Sequence, residues 1–258
     1  MRICGLKFWG AAALCGLVLA TAPARAASPF ADWSAVVVAG DDHGSGGGRT
    51  EAFDNARRDV SRSLLAVGFR PANLKQFSVK PERYRDTRPG KSDLDGLYDA
   101  MVALTAQAPG GCLVYLTSHG TPQGMVLDQR VLAPGILAGM LDRTCADRPT
   151  VVVVSACFSG VFVPRLAGPN RMVLTAARRD RTSFGCGETD RYPYFDECFL
   201  GAMPSAGDFL SLAGAVRTCV GDRERAEKVS PPSEPQLSVG AQLRPLLPLL
   251  GLAPVRRD

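Results

Sequence analysis

Apolar residues along the chain cluster in short β-branched runs separated by stretches with helical spacing. "AVVVA" (35–39), "LKQFSV" (74–79), "CLVYLTS" (112–118), "TVVVVSA" (150–156) and "RMVLTAA" (171–177) read as strands. Between the first two, Phe53, Ala56, Val60, Leu64 and Val67 recur at three-to-four spacing, which predicts a helix from Thr50, with Thr50 as its cap and Glu51 in its first turn. Further helices are expected over 93–107, opened by a Ser92–Asp95 capping box, over 132–143 and over 206–219. "GDDHGSGGG" (40–48) reads as a flexible glycine turn, and 80–92 and 229–236 as proline-containing loops. The tail "LRPLLPLLGLAP" is apolar but broken by prolines, and is expected to pack on the core.

Near-continuous apolar strands alternating with helices predict an α/β fold, its mainly parallel sheet covered on both faces. Functional groups in such sheets lie beyond the carboxyl ends of the strands. Two runs end suggestively, one in Ser118-His119-Gly120 and the other in Ser155-Ala156-Cys157. The same edge of the sheet should therefore carry an imidazole and a thiol.

The N-terminus changes how charge and cysteines are counted. Arg2 and Lys7 precede an uncharged apolar stretch, and "APARA" ends at Ala26 in a small-x-small pattern, so residues 1–26 read as a signal peptide and 27–258 as one exported domain with an irregular C-terminal third. Removing Arg2, Lys7 and Arg25 leaves 27 basic residues against 25 acidic ones, too even a balance for a nucleic-acid partner. No stable membrane span is expected after signal removal, and the oligomeric state is left open. Six cysteines remain, and disulfides persist outside the cytosol. Cys112 and Cys145 both precede neighbouring strands, and Cys186 and Cys198 flank a short loop; these two pairings are expected, with Cys219 free or paired otherwise. With two histidines and no CxxC pair, neither a metal site nor a cofactor is expected.

A thiolate attacks carbonyl carbon and needs a nearby proton carrier. His119 fits that role better than His43, because its strand should neighbour that of Cys157. Backbone N–H groups of Gly120 and Cys157 are natural oxyanion donors. Ala156 and Gly160 then leave room for a substrate backbone, and Ser155 flanks the thiol as a substrate-binding candidate. Rival chemistries fit less well: position 163, where a phosphatase loop needs arginine, is Val163, and "GSGGGRT" lacks the Lys-Ser/Thr of a phosphate-binding loop.

"YLTSHGTPQGMVL" followed by "VVVVSACFSGVF" resembles the His-Gly and Ala-Cys motifs of the legumain-like cysteine peptidases, of the caspase-like clan. "VVVAGDD", "FDNARRDV" and "VLTAARRDRTSFGCGE" extend the resemblance over roughly residues 33–200. It implies a caspase-like three-layer sandwich and a peptide or protein substrate, with Cys157 as nucleophile and His119 as general acid/base. By the same resemblance Asp42 orients the histidine, Ser183 lines the primary specificity pocket, and Asp196 supplies an acidic group there. Phe53-Asp54 stand in for the Arg-His pair that opens the first helix in legumain, which puts a basic or small residue at the cleavage position on a par with asparagine. A catalytically idle binding protein and a thiol-dependent esterase or acyltransferase are the alternatives on the same residues.

Overall fold

The computed structural model describes Met1 and residues 28–254; the expected signal peptide lies outside the described residues. The described residues form ten strands and six helices in the order β1 (Trp33–Ala39), α1 (Ala52–Ala66), β2 (Leu74–Ser78), β3 (Gly90–Lys91), α2 (Leu94–Gln107), β4 (Gly111–Thr117), β5 (Gly120–Thr121), β6 (Gly124–Leu127), β7 (Arg130–Leu132), α3 (Pro134–Thr144), β8 (Thr150–Ser155), α4 (Val163–Leu166), β9 (Arg171–Thr175), α5 (Tyr194–Ala202), α6 (Phe209–Ala226) and β10 (Gln236–Val239). The main sheet has the order β10-β9-β8-β4-β1-β2-β3. It is parallel except for β10, which runs antiparallel on β9.

Alternation along the strands sorts side chains between two cores. Val37, Leu113, Tyr115, Val153 and Leu174 face α1, α5 and α6 on one side, whereas Val38, Val114, Leu116, Val154 and Val173 face α2, α3 and α4 on the other. Both faces of the valine-rich strands are thus buried, and the result is a three-layer sandwich. The apolar tail packs as expected, with Leu243, Leu247 and Leu252 fully buried in the first core.

Local chemistry moves some element boundaries. Helix α1 begins at Ala52 with Glu51 as its N-cap in place of the expected Thr50; Thr50 Oγ1 accepts from Ala52 N and donates to Gly187 O, a tertiary tie. The cap of α2 is Asp93, whose carboxylate accepts from Gly96 N, in place of the expected Ser92; Ser92 Oγ donates to Ala39 O instead. Cys112 pairs with Cys145 as expected, joining β4 to the end of α3. The second expected pairing is wrong: Cys198 on α5 pairs with Cys219 on α6, and Cys186 is free. Two facing helices bring those cysteines together, with a Cα separation of 5.7 Å, a proximity that linear spacing does not reveal. Replacing Cys198 and Cys219 by serine is expected to lower stability by about 3 kcal/mol, read as a drop in Tm, since the bridge closes a loop of 21 residues.

Candidate active site

Adjacent strands β4 and β8 run in parallel with Thr117 opposite Ser155, so His119 and Cys157 leave the sheet two residues later, side by side. Ser118 N donates to Ser155 O, extending the ladder past the strand ends. Beyond Cys157 the chain turns sharply. Phe158 is left-handed (φ 56°), and its N–H donates to Arg181 O at 2.7 Å. The thiol of Cys157 is half-buried; it accepts from Ser183 N at 3.3 Å and lies 3.5 Å from Ser183 O. Ser183 therefore stands beside the Cys157 thiol.

The imidazole of His119 is held from two sides. Its Nε2 is 2.9 Å from His43 O, and the ring meets Phe53 edge to face, with centroids 5.1 Å apart. A carbonyl only accepts, so Nε2 carries the proton and Nδ1 is left as the free nitrogen. His43 contributes its carbonyl and no base: its own ring is exposed and turned to Asp41 Oδ1, 3.1 Å away.

Gly120 is locked against the backbone of Cys157. A Cβ at this position would lie 2.0 Å from Cys157 O, a distance no real side chain tolerates. Val126 N donates to His119 O, so Gly120–Met125 is the pair between hydrogen-bonded pairs and the Gly120 N–H points away from the ladder. Among the described residues Cys157 N–H also donates to no other protein group. Two backbone donors are thus free beside the thiol. Gly160 serves a different end from the one expected: its Cβ would collide with Arg179 N at 2.5 Å, so it makes room for the protein's own backbone.

Four side chains expected at the site stand elsewhere. Asp42 is buried, and its carboxylate takes Arg49 Nη1 at 2.7 Å; the group that orients His119 is the carbonyl one residue on. Asp54 is a buried residue of α1 itself, paired with Arg57 Nε at 2.6 Å and accepting from Ser78 Oγ, and burial pushes its carboxyl up against the pull of Arg57. Phe53 lies inside α1 with its side chain buried. Ser155 turns its hydroxyl into the core. Asp196 is fully buried beneath the strand ends. Neither Asp54 nor Asp196 thus presents an exposed acidic group for a basic residue at the cleavage position.

The glycine loop is no free turn. Gly48 N donates to Glu188 Oε1 at 3.0 Å, Ser45 N donates to Cys186 O, and a Cβ on Gly46 would lie 2.6 Å from Glu188 Oε1. Backbone N–H groups, its own first and then those of Gly48 and Gly46, hold the Glu188 carboxyl below the usual range. Glycines occur here because a carboxylate from the segment after β9 is seated on them, a long-range contact invisible to local reading. The second free thiol, Cys186, is pushed up to about 11 by burial and then by the nearby Cys157. It is therefore a poor nucleophile at neutral pH.

Residues 93–209 match the model of the Peptidase C13 family, the legumain family. This protein is a cysteine-type peptidase. The matched segment carries Ser118-His119-Gly120, Ala156-Cys157 and Ser183. No curated protein is similar to the chain at a significant level. Among solved structures the peptidase is similar to caspase-1 from Spodoptera frugiperda, with a TM-score of 0.59 at 15% identity over 84% of this chain and 90% of that one. The fold of the peptidase is accordingly caspase-like, with the mainly parallel sheet between helical layers described above.

Proposed function

We propose that the peptidase is exported and cleaves peptide bonds through a Cys157–His119 dyad and an acyl-enzyme. The observation that carries this reading is the fixed state of His119: with Nε2 committed to His43 O, the free Nδ1 is the nitrogen left to exchange a proton with the thiol. Cys157 as thiolate attacks the scissile carbonyl, and the oxyanion meets the N–H groups of Gly120 and Cys157. Nδ1–H of the imidazolium then protonates the departing amine, leaving a thioester on Cys157. Water, deprotonated by the same nitrogen, hydrolyses it; a second peptide's amine in place of water gives transpeptidation. Export is supported by the leader-like pattern of residues 1–26 and by two disulfides, which last in oxidising compartments.

Incubating the folded protein with iodoacetamide and mapping the adduct tests the nucleophile. Alkylation at Cys157, well ahead of Cys186 and in step with loss of cleavage of a quenched peptide library, is the expected result. Labelling of Cys186 alone, or full cleavage after Cys157 is blocked, overturns the reading. Matched amide and ester substrates distinguish the peptidase from a thiol esterase, which would turn over only the ester.

A further inference from the structure

Asp196, on α5, joins the two strands presenting His119 and Cys157. Its Oδ1 accepts from Tyr115 OH at 2.6 Å; its Oδ2 accepts from Thr117 Oγ1 at 3.1 Å and from Ser155 Oγ at 2.5 Å. Tyr115 and Thr117 belong to β4, Ser155 to β8, and Thr117 and Ser155 are direct partners in the ladder. Each of those two lies two residues before a member of the proposed dyad. We propose that Asp196 is a positioning residue, clamping the ends of β4 and β8 through these three hydroxyls so that His119 and Cys157 keep their relative placement. This inference rests on the dyad reading above.

The physical oddity of the arrangement supports it. Asp196 is 0% exposed, and among the described residues no Lys, Arg or His forms an ion pair with it. A buried carboxylate with only hydroxyl partners costs the fold more than a neutral side chain would. Burial pushes its carboxyl up to about 6, against the three hydroxyls that favour the ionised form. Tyr115, the one titratable group among those facing it, is raised well above its ordinary range by the same burial and stays neutral. The folded state therefore holds the Asp196 proton more tightly than the unfolded chain. No stability is lost below about pH 4, and the full loss is present above about pH 6. A side chain that weakens the fold at neutral pH yet ties together the two ends that matter fits a functional group held at a cost in stability.

The test uses Asp196→Asn, Ser155→Ala and Tyr115→Phe in the full-length protein, with kcat and KM for one peptide and Tm at pH 8 and pH 4. Asp196→Asn is expected to raise Tm by about 5 °C at pH 8 and to leave it unchanged at pH 4. The same variant should lose about 10-fold or more in kcat with KM within about twofold of the parent. Ser155→Ala removes the single tie to β8 and should match that loss in kcat, whereas Tyr115→Phe leaves Thr117 in place on β4 and should lose less. Unchanged kcat in both Asp196→Asn and Ser155→Ala overturns the clamp, as does a loss of Tm at pH 8 with kcat per folded molecule retained. Iodoacetamide labelling of Cys157 in the parent protein distinguishes failure of the clamp from failure of the dyad: labelling persists in the first case and is absent in the second.

Discussion

Cys157→Ala is expected to abolish peptide cleavage, by at least about 1000-fold in kcat, while leaving Tm nearly unchanged. The two halves of this expectation have separate causes. The thiol supplies the only bond that links substrate to enzyme in the proposed path, and alanine has nothing to replace it. Its structural contacts are slight: a 3.3 Å approach from Ser183 N and a weak one at 3.5 Å to Ser183 O, at a half-buried position. Cys186 cannot take over, because its thiol stays protonated at neutral pH. Steady-state cleavage and a thermal melt on the same preparation check both halves; cleavage at the parental rate would remove Cys157 from the chemistry.

Gly120→Ala is the second large effect, expected to cost about 100-fold or more in kcat/KM without unfolding the protein. The new methyl would sit 2.0 Å from Cys157 O and 3.0 Å from Cys157 N, so β5 and the turn after β8 must separate. Both proposed oxyanion donors lie on that boundary. Strand β5 is only two residues long at the edge of a small three-stranded sheet, so it can shift without disturbing the seven-stranded one. A kcat/KM assay with a circular dichroism spectrum checks this; parental activity would show that Gly120 is not close to the reacting carbonyl.

Much of this architecture was legible in residue order. The five valine- and leucine-rich runs became β1, β2, β4, β8 and β9, and the two motifs at the ends of β4 and β8 met where parallel-sheet geometry requires. Strand β10 escaped because "QLSV" is four half-buried residues at an edge, stabilised by β9 and without a pattern of its own. Strands β5 to β7 are equally short. Helix α5 did carry a signal, with Phe195, Cys198 and Phe199 buried at helical spacing behind Pro193, but a loop reading of the cysteine-flanked segment obscured it.

At the site the divide follows backbone against side chain. His119, Gly120 and Cys157 are placed by strand ends and their immediate continuations, and so could be read from motifs, and Ser183 follows in the segment after β9. What orients His119 is a carbonyl, and any residue carries one, so no residue type marks it. Asp42, Asp54, Ser155 and Asp196 are small polar residues; Asp42 turns to nearby Arg49, whereas Asp54 reaches Ser78, Ser155 reaches Asp196, and Asp196 reaches Tyr115 across 81 positions. Motif position fixed where their backbones run but not which way their side chains turn.

The apolar tail has a consequence for the chain's biogenesis. Leu243, Leu247 and Leu252 are buried in the same core as Phe30 and Trp33, and the Phe30 ring meets Phe209 at 5.7 Å. Residues from both ends of the described chain thus close one hydrophobic layer, and that layer stays incomplete until residue 252 has left the ribosome. Contacts of such high sequence separation form late. That hydrophobic layer therefore cannot close until synthesis is nearly finished.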